Sequence, residues 1–511
     1  MNSELTRALL ELADKLVPQK VICRYSKPWY NREMSEQLQK QREAKKKWRK
    51  RKSPSNYAAY QSMLRQTEQM LEAVKASWWE HEVSKLDTAP QVGKWKIINK
   101  LTRVDVQGGI QPIKVNDGFV FEDDEILKEM EHHHIYKDCD YTVSVSDLSG
   151  ADDQIVCMED TEQNGPSDQD VQFAPITDTE ISATFGCGTN TPGPDGISAQ
   201  LINIADRLEM SKCLGLLWNE VWKSGRLPPE WKLEHRVLLP KFGKESYNDC
   251  SAYRTVSLTD ILGKRLEKIV VNRLVGTLDV NGFDENQFAY LKHRSATQAV
   301  LALTESIKRN SLNNRLTGVV FFDLKDAFGS VNRKKLLEKL GRDFKVSSHL
   351  LSYIRDFLSS RFARIKVNDL IGDWIESEWG TSAGTVIGPI LFIAYAHDTP
   401  TCIQLKFADE MVGYTAGDDE SEVQSQLQSY IDETSQWAKT WDLELNASKT
   451  KTVLFGHKSS GRLQLNLNGS LIVQVPEFKY LGVILDEQLK FDCQAEYAAS
   501  KARRALSRVC R

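Results

Sequence analysis

Two apolar segments of the chain lead into carboxylates, and together they limit the folds that the chain can adopt. Residues 403–407 alternate apolar and polar side chains, pass through Ala408-Asp409-Glu410 and turn apolar again, which is typical of a β-hairpin with acids at its tip. Upstream, the apolar run 319–322 leads directly into Asp323. Carboxylates at neighbouring strand ends can hold two Mg²⁺ ions, so the sequence predicts metal-dependent phosphoryl transfer.

Length and cysteine content indicate a protein of several domains from a reducing compartment. With 511 residues, the chain is expected to form three or four modules, at about 100–200 residues per domain. Its nine cysteines are scattered, without a CxxC pair or zinc-like Cys/His spacing, which indicates free thiols and no structural metal. The N-terminus lacks the apolar core of a signal peptide, and the apolar stretch 389–396 is too short to span a bilayer. We therefore expect an intracellular protein, cytoplasmic and/or nuclear, that is not secreted and has no membrane partner.

Charge is segregated along the chain, although the formal net charge is only -3. Residues 1–52 hold fifteen Lys and Arg against six Asp and Glu, whereas residues 138–170 hold ten acids and no Lys or Arg. The composition of 1–136 predicts a basic helical N-terminal extension. Its basic run 42–52 is either a solvated helical face or an arm on RNA or DNA phosphates, with Trp48 available to stack. The composition of 137–173 predicts an acidic disordered linker.

A series of short segments occurs in the order typical of one protein family. They are KPWYNRE at Lys27, WKIINKLT at Trp95, PGPDGI at Pro192, SGRLPPEWK at Ser224, VLLPKFGK at Val237, AYRTVSLTDILGKRLEKIVVNRL at Ala252, QFAYLKHRSATQAV at Gln287, FFDLKDAFGSVNR at Phe321, GTSAGTVIGPILFIAY at Gly380, FADE at Phe407, LNASKTKTVLFG at Leu445 and YLGVILD at Tyr480. Each segment alone is a weak signal, but their order makes them specific. The chain resembles the reverse transcriptase of non-LTR (LINE-type) retrotransposons.

This resemblance implies a fold and an activity. The expected fold class is α+β, a right-hand polymerase with fingers at 174–300, a palm at 301–456, and a primer-grip hairpin and partial thumb at 457–511. The palm is expected to carry all three carboxylates on an antiparallel sheet. The implied activity is RNA-directed DNA polymerase, a nucleotidyltransferase that adds dNTPs to a primer 3′-hydroxyl with two Mg²⁺ ions, for which Mn²⁺ can substitute. The implied partners are an RNA template and a DNA primer or target, and the oligomeric state is left open.

The resemblance also assigns roles to single residues. Asp323, Asp409 and Glu410 match the catalytic metal ligands, and Lys449 is either an acid for the departing pyrophosphate, a phosphate contact or an exposed lysine in solvent. Nucleotide-binding positions are matched by Lys241, Arg254, Phe328, Ala383 and Gly384, with the Phe328 ring expected to exclude a ribose 2′-hydroxyl. Nucleic-acid-binding positions are matched by Gly388, Tyr480, Leu481, Gly482, Lys501 and Arg504. Gly384 and Gly388 are expected to let the backbone approach the template–primer closely.

Several functional positions depart from the family pattern. Glu410 stands where a second Asp is usual, and its extra methylene would shift the carboxylate by about 1.5 Å. Ala383 stands where Gln is usual, Gly329 where Asp is common and Thr255 where Pro is common. Ala289 and His293 replace glycines, so two tight backbone positions are expected to gain a Cβ.

These departures leave alternatives to a fully active polymerase. One is a catalytically weak or dead protein, derived from a reverse transcriptase, that still binds RNA or DNA. Another is an element copy with no maintained function. No endonuclease precedes Met1 and no Cys/His-rich tail follows Arg511, so the chain is expected to be a fragment. We expect an intact fold and an impaired activity.

Overall fold

The computed structural model describes residues 2–16, 32–51, 53–88, 110, 112–115, 118–135, 174–185, 191–204, 207–241, 246–280, 282, 284–368, 370–456 and 462–509. The linker expected at 137–173 lies outside the described residues. The chain divides into two compact units. The first contains Met1–Leu16 and Gly108–Phe491, and the second contains Val17–Gln107 and Asp492–Arg511.

Helices make up a large part of both units. They are α1 (Asn2–Leu16), α2 (Arg32–Lys50), α3 (Pro54–Thr88), α4 (Asp123–His134), α5 (Asp178–Ser182), α6 (Ala199–Ile204), α7 (Arg207–Ser224), α8 (Ile261–Val280), α9 (Ala296–Leu312), α10 (Arg333–Arg342), α11 (Ser348–Leu358), α12 (Gly388–Tyr395), α13 (Glu420–Thr440) and α14 (Asp492–Val509). Short 3₁₀ helices add Pro229–Lys232 and Cys250–Ala252.

The strands in the part of the chain that the structure describes all belong to the first unit. They are β1 (Ile113–Val115), β2 (Gly118–Val120), β3 (Leu233–Pro240), β4 (Tyr253–Leu258), β5 (Leu316–Phe322), β6 (Phe362–Val367), β7 (Leu370–Ile371), β8 (Ile375–Glu376), β9 (Ile403–Phe407), β10 (Glu410–Gly417), β11 (Lys451–Phe455), β12 (Leu465–Leu467), β13 (Ser470–Gln474), β14 (Glu477–Tyr480) and β15 (Val483–Asp486). The expected α+β class is confirmed.

The N-terminal extension expected at 1–136 is divided between the two units. In the first unit, Leu9 of α1 joins the large hydrophobic core, and Asn2 Nδ2 donates a hydrogen bond to Glu230 Oε2 at 3.3 Å. In the second unit, α2 and α3 pack together at their joined ends, where the Trp48 ring stacks on Tyr60 with 5.6 Å between ring centroids. The Trp48 ring is thus engaged within its own unit.

A six-stranded sheet forms the centre of the first unit, in the order β12-β13-β11-β5-β10-β9. All residues of β5 are buried because helices cover both faces: Val319 packs with the apolar side chains of α9, and Val320 with those of α13. A Cβ on Gly318 would lie 2.4 Å from Val423 Cγ1, so glycine is what lets α13 approach the sheet. β5 pairs antiparallel with β10 and β11, and β10 pairs antiparallel with β9, so the strands of this sheet within 301–456 are antiparallel as expected. β11 runs parallel to β13, which lies after residue 456.

A five-stranded sheet has the order β4-β3-β6-β7, with β8 also pairing to β6. β3 and β6 run parallel, whereas β3 and β4 run antiparallel. One face of this sheet packs on α4, with Ile365 and Val367 buried against Ile126 and Met130. Strands β6 to β8 belong to the 301–456 segment expected to be palm, so that segment contributes to both sheets.

The turn formed by PGPDGI is pressed against the residue that precedes α8. Asp260 is 2% exposed, and its Oδ1 accepts a hydrogen bond from the Asp195 backbone N–H at 3.1 Å. A Cβ on Gly193 would lie 2.5 Å from the Asp260 nitrogen. Burial and, second to it, the charge of the neighbouring Asp195 carboxylate raise the pKa of Asp260 to about 8. The two carboxyl groups therefore share a proton at neutral pH.

This acid pair predicts a stability that falls in alkaline solution. The folded-state pKa of Asp260 lies above its ordinary 3.8, so the stabilisation is complete in acid and is lost as pH rises through about 8. Asp260→Asn keeps the hydrogen bonds without an ionisable proton. Between pH 6 and 9, we expect the Tm of the parent to fall by about 4–8 °C more than that of the variant. Differential scanning calorimetry measures this, with Asp418→Asn, an exposed site, as the control. Equal pH dependence in parent and Asp260→Asn would contradict the shared proton.

Candidate active site

The three carboxylates predicted from the sequence meet at one end of the six-stranded sheet. Asp323 directly follows β5, and the antiparallel register pairs Phe322 with Met411, so Glu410 is the next residue opposite Asp323. β9 and β10 form the predicted hairpin, with Phe407 paired to Glu410. Ala408 adopts a φ of +56° in the turn. The hairpin prediction is therefore confirmed, and its turn places Asp409 and Glu410 beside the end of β5.

The three carboxylates place an excess of negative charge at this end of the sheet. Burial raises the pKa of Asp409, and the Asp323 charge adds to that shift. Burial, followed by the charges of Asp409 and Asp323, raises the pKa of Glu410 to about 7, although a hydrogen bond from the Leu481 backbone acts in the opposite direction. Like charges at short range disfavour ionisation. A bound cation would relieve this repulsion.

The carboxylates provide donors of the type that hard divalent cations take. Within the described residues, no group of three His, Cys, Asp or Glu side chains forms a ready-made metal cage. Asp323 Oδ2 is nevertheless buried and accepts no hydrogen bond from the part of the chain that the structure describes. Carboxylate oxygens that repel one another suit Mg²⁺. The oxygen atoms of the three carboxylates are thus chemically suitable ligands for Mg²⁺.

Lys449 is placed against the same carboxylates. Its Nζ lies 3.3 Å from Asp323 Oδ2, and the side chain is 61% exposed. The turn that carries it is fixed by backbone hydrogen bonds, from Asn446 N–H to the Asp323 carbonyl at 2.7 Å and from Lys449 N–H to the Asn446 carbonyl at 3.2 Å. An exposed ammonium group beside a metal-ligand candidate can meet a phosphate or give up a proton.

The hairpin β14–β15 closes the other side of this site. Leu481 and Gly482 form its two-residue turn with φ values of +46° and +89°, and the hydrogen bond from Leu481 reaches the Glu410 carboxylate. The Tyr480 side chain is buried beside Phe321, with 5.5 Å between ring centroids. A cavity of about 480 Å³ lies between the hairpin and the sheet end, and its lining includes Asp323, Glu410, Lys449, Phe478 and Tyr480.

Lys241 and Arg254 lie on the five-stranded sheet. Lys241 directly follows β3, and Arg254 on β4 pairs with Leu239, so the two cations belong to neighbouring strands. The Lys241 Nζ donates a hydrogen bond to the Ser251 carbonyl at 2.8 Å, whereas the Arg254 side chain is exposed. Arg254 is thus presented to solvent, and Lys241 would have to exchange a hydrogen bond to reach a ligand.

The loop before α12 is hydrogen-bonded both to the segment that follows β5 and to β4. The Thr381 N–H donates to the Phe328 carbonyl at 2.9 Å, and the Ser257 N–H of β4 donates to the Ala383 carbonyl at 2.7 Å. The Phe328 ring packs on Phe392, with 4.8 Å between centroids. This loop therefore contains Ala383 and Gly384 and is bonded directly to Phe328, so three of the residues predicted to contact the nucleotide lie together.

The two loop glycines allow close approach of the chain's own backbone. A Cβ on Gly384, which has a φ of +115°, would lie 2.5 Å from the Ser257 oxygen. A Cβ on Gly388 would lie 2.3 Å from the Thr381 oxygen. The sequence correctly indicated positions that exclude a Cβ. The groups that come close in the structure, however, are backbone oxygens of this chain.

Lys501 and Arg504 are exposed residues of α14 in the second unit. The Lys501 Nζ lies 4.7 Å from the centroid of the Tyr497 ring. The structure therefore places them in a different unit from the carboxylates.

The departures in QFAYLKH have different structural consequences. His293 has a φ of +63°, so its Cβ occupies a conformation that glycine adopts more easily. Ala289 is buried but is not among the residues with positive φ, which instead include Tyr290 at +60°. The Cβ of His293 therefore stands at a left-handed backbone position, whereas the Cβ of Ala289 is buried on a backbone without positive φ.

Gln287 supports the turn that leads into Asp409, a role that the sequence analysis did not predict. Its buried side-chain Oε1 accepts hydrogen bonds from the Ala408 N–H at 3.1 Å and the Ala289 N–H at 2.9 Å. The neighbouring Phe288 N–H donates to the Lys406 carbonyl at 2.8 Å. These bonds hold the turn before Asp409 against the segment that follows α8. The available sequence signal was that Gln287 opens the QFAYLKH segment.

Comparison with known proteins identifies the part of the chain that carries this site. Residues 239–485 match the family model described as reverse transcriptase (RNA-dependent DNA polymerase). The matched segment is just under half of the chain, and it is similar to a reverse transcriptase domain. It includes all three carboxylates, Lys449 and the β14–β15 hairpin up to Leu485. None of the described helices has the length and apolar character needed to cross a membrane.

Similar proteins confirm the resemblance to LINE-type retrotransposons. The chain is 29% identical over 313 residues to the RNA-directed DNA polymerase from mobile element jockey of Drosophila melanogaster, covering 59% of this chain and 34% of the relative. It is 26% identical over 222 residues to the Pol polyprotein from type-1 retrotransposable element R2 of Nasonia vitripennis, covering 43% of this chain and 20% of the relative. The chain thus spans about a third or less of the length of these relatives. Among solved structures, apo telomerase from Candida tropicalis covers 57% of this chain and 62% of its own, with a TM-score of 0.35 and 13% identity.

Proposed function

We propose that the chain acts as an RNA-directed DNA polymerase that adds deoxynucleotides to a primer 3′-hydroxyl on an RNA template. The observation that carries this proposal is the meeting of Asp323, Asp409 and Glu410 at one sheet end, inside a segment that is similar to a reverse transcriptase domain. The three carboxylates would hold two Mg²⁺ ions, or Mn²⁺ in their place. When bound, such ions activate the 3′-hydroxyl and stabilise the leaving pyrophosphate.

The protein's own groups then position and neutralise the substrates. Arg254, together with Lys241 after exchange of its hydrogen bond, would neutralise the triphosphate. Lys449 would donate a proton to the pyrophosphate or contact its phosphates. Ala383 and Gly384 would border the nucleotide, next to Phe328. Contact with template and primer is proposed for Gly388, Tyr480, Leu481 and Gly482, and phosphate contact for Lys501 and Arg504.

The proposed function is tested by primer extension. Purified protein receives an RNA template, a DNA primer, dNTPs and Mg²⁺ or Mn²⁺, alongside an Asp409→Ala variant and the exposed-site control Asp418→Asn. Asp409→Ala should lower the rate by at least about 100-fold, because removal of one preorganised charge-stabilising group costs about 10²–10³. Asp418→Asn should extend like the parent. Equal extension by parent and Asp409→Ala would contradict the role of the carboxylates.

A second candidate is a protein that binds nucleic acid without catalysis. Two departures favour it: Glu410 lengthens one carboxylate, and Ala383 lacks the amide usual at its position. No extension by the parent, with retained binding of the template–primer, would support this alternative.

The Phe328 ring is proposed to exclude ribonucleotides. It is half-buried and packs on Phe392, so the packing limits its movement away from a nucleotide sugar. We expect Phe328→Ala to lower the preference for dNTP over rNTP by at least about 10-fold, since an interaction worth about 1.4 kcal/mol changes a ratio tenfold. The measurement is the ratio of kcat/KM for the two nucleotides, with Phe328→Tyr retaining the ring. Unchanged discrimination in Phe328→Ala would contradict this role.

A further inference from the structure

The loop before α12 is held near its start by a guanidinium group. Arg333 is the first residue of α10, and it donates hydrogen bonds from its Nε to the Gly380 carbonyl and from its Nη2 to the Trp379 carbonyl, both at 2.9 Å. Hydrogen bonds from a charged donor are stronger than neutral ones, and the planar fork of an arginine fixes two acceptors at once. Arg333 therefore fixes both the position and the orientation of this part of the loop.

The same part of the loop lies against the segment that carries Phe328. The Gly380 N–H donates to the Val331 carbonyl at 3.0 Å, and the N–H of the next residue, Thr381, donates to the Phe328 carbonyl. A Cβ on Gly380, which has a φ of +82°, would lie 2.7 Å from the Phe328 oxygen. The two backbone segments are thus in direct contact, and a shift of the loop would shift the backbone of Phe328.

The other end of the loop is held by a buried carboxylate. Glu267 on α8 is 3% exposed, and its Oε2 accepts hydrogen bonds from the Val386 N–H at 2.7 Å and the Ile387 N–H at 3.1 Å. These N–H groups directly precede α12, where a negative charge interacts favourably with the helix dipole. Glu267 therefore fixes the beginning of the helix that carries Phe392.

Both supports of the Phe328 ring depend on these two anchors. The backbone of Phe328 is hydrogen-bonded to Thr381, and its ring packs on Phe392. Arg333 fixes the loop beside the first support, and Glu267 fixes the helix that provides the second. The position of the ring is therefore set by charged side chains that lie outside the proposed nucleotide site.

Arg333 belongs to a group of like charges. Burial, followed by the charge of Arg361, lowers the pKa of Arg333 to about 9, which leaves the guanidinium protonated at neutral pH. The Glu234 charge opposes this shift, and the Arg236 charge adds to it. A neutral side chain at this position would relieve the repulsion among three guanidiniums while it loses two hydrogen bonds to the loop. Because these effects oppose each other, we expect such a variant to fold.

We propose that Arg333 is a positioning residue for sugar selection, because its hold on the Trp379 and Gly380 carbonyls sets the Phe328 ring where a deoxyribose fits and a ribose does not. The proposal rests on the proposed function, since it requires a nucleotide sugar to lie against Phe328. Arg333 acts through the loop and needs no contact with the nucleotide. Its replacement should change the choice between nucleotides and leave the affinity for the template–primer unchanged.

The test measures nucleotide binding without catalysis. A labelled DNA primer that ends in a dideoxynucleotide is annealed to an RNA template whose next base is cytosine. Fluorescence anisotropy follows the complex with the protein in Mg²⁺ at rising concentrations of dGTP or GTP, since a bound nucleotide stabilises the complex. The parent should prefer dGTP. Arg333→Gln should lower that preference about 10-fold, because a misplacement of about 1 Å can cost up to about 100-fold.

Two further variants separate positioning from charge and from a general loss of contacts. Arg333→Lys retains the positive charge without the planar fork, so its preference for dGTP should lie between those of the parent and Arg333→Gln. Arg315→Gln is the matched control, because Arg315 also donates to a backbone carbonyl, that of Ala416 at 2.8 Å, at the end of β10 away from Glu410. It should keep the preference of the parent.

Each possible result decides the question. A preference equal to that of the parent in Arg333→Gln would overturn the proposal, and if that variant does not fold, the same result in Arg333→Lys would do so. An equal loss of affinity for the duplex alone would also overturn it, as would a parent that binds dGTP and GTP equally. Failure of the proposed catalytic function has a different signature: an ordinary primer is not extended, while the preference for dGTP in binding persists.

Discussion

Replacing Glu410 with aspartate should raise the rate of primer extension by up to about 100-fold, since a misplacement of about 1 Å can cost that factor. Glu410 lies opposite Asp323 at the end of the β5–β10 ladder, and its carboxylate reaches the hydrogen bond from Leu481. Removing one methylene draws the oxygens back by about 1.5 Å. The carboxylate would then lie closer to the sheet end, where Asp323 and Asp409 meet.

The measurement is kcat/KM for addition of a single nucleotide with Mg²⁺. Glu433→Asp serves as the control, because it makes the same change on an exposed side chain of α13. Adding Asp409→Ala to the Glu410→Asp variant should abolish the increase in rate. That result would show that the increase arises at the site that contains Asp409. An unchanged or lower rate in Glu410→Asp would show that the length of this carboxylate is not what limits the protein.

Glu234→Gln should lower the free energy of unfolding by about 3–5 kcal/mol, the usual loss when one partner of a buried ion pair is removed. The Glu234 side chain is fully buried on β3. Its Oε1 accepts from Arg236 Nε at 2.8 Å, and its Oε2 lies 3.5 Å from an Arg361 guanidinium nitrogen. Burial alone would raise the pKa of Glu234, but the two guanidiniums hold it at about 2. The variant leaves both cations without this anion.

Urea unfolding followed by circular dichroism measures this loss. Glu305→Gln, an exposed position on α9, is the matched control and should change stability by less than about 0.5 kcal/mol. A loss below about 1 kcal/mol in Glu234→Gln would contradict the view that both guanidiniums depend on this carboxylate.

The β9–β10 hairpin was predictable from the sequence because the signals for its two strands and its turn lie within one short segment. The alternation at 403–407 and the short acidic loop specify two strands and a turn, and the structure has them as β9 and β10. The run 319–322 is buried as expected for a strand covered on both faces. The PGPDGI segment forms a turn, which its Pro and Gly content favours, but nothing local in this segment specifies its contact with Asp260.

Long-range partners were not predictable in the same way. The parallel pairing of β3 with β6 joins segments separated by more than a hundred residues, and periodicity does not state which strand pairs with which. Gln287 hydrogen-bonds to Ala408 across 121 positions. Gly384 was recognised as a tight position, but only the structure showed that the Ser257 carbonyl is the group that comes close.

The amino-acid sequence alone was sufficient to predict the family resemblance, the fold class and the positions of the carboxylates. These depend on short patterns that occur in a fixed order along the chain. The tertiary structure decided which groups surround them: the Leu481 turn at Glu410, the Lys449 ammonium at Asp323, and the Gln287 amide at Ala408. The physical reason is that burial and hydrogen bonding at the site arise between segments distant in sequence. Those contacts exist only once the sheets and helices have packed.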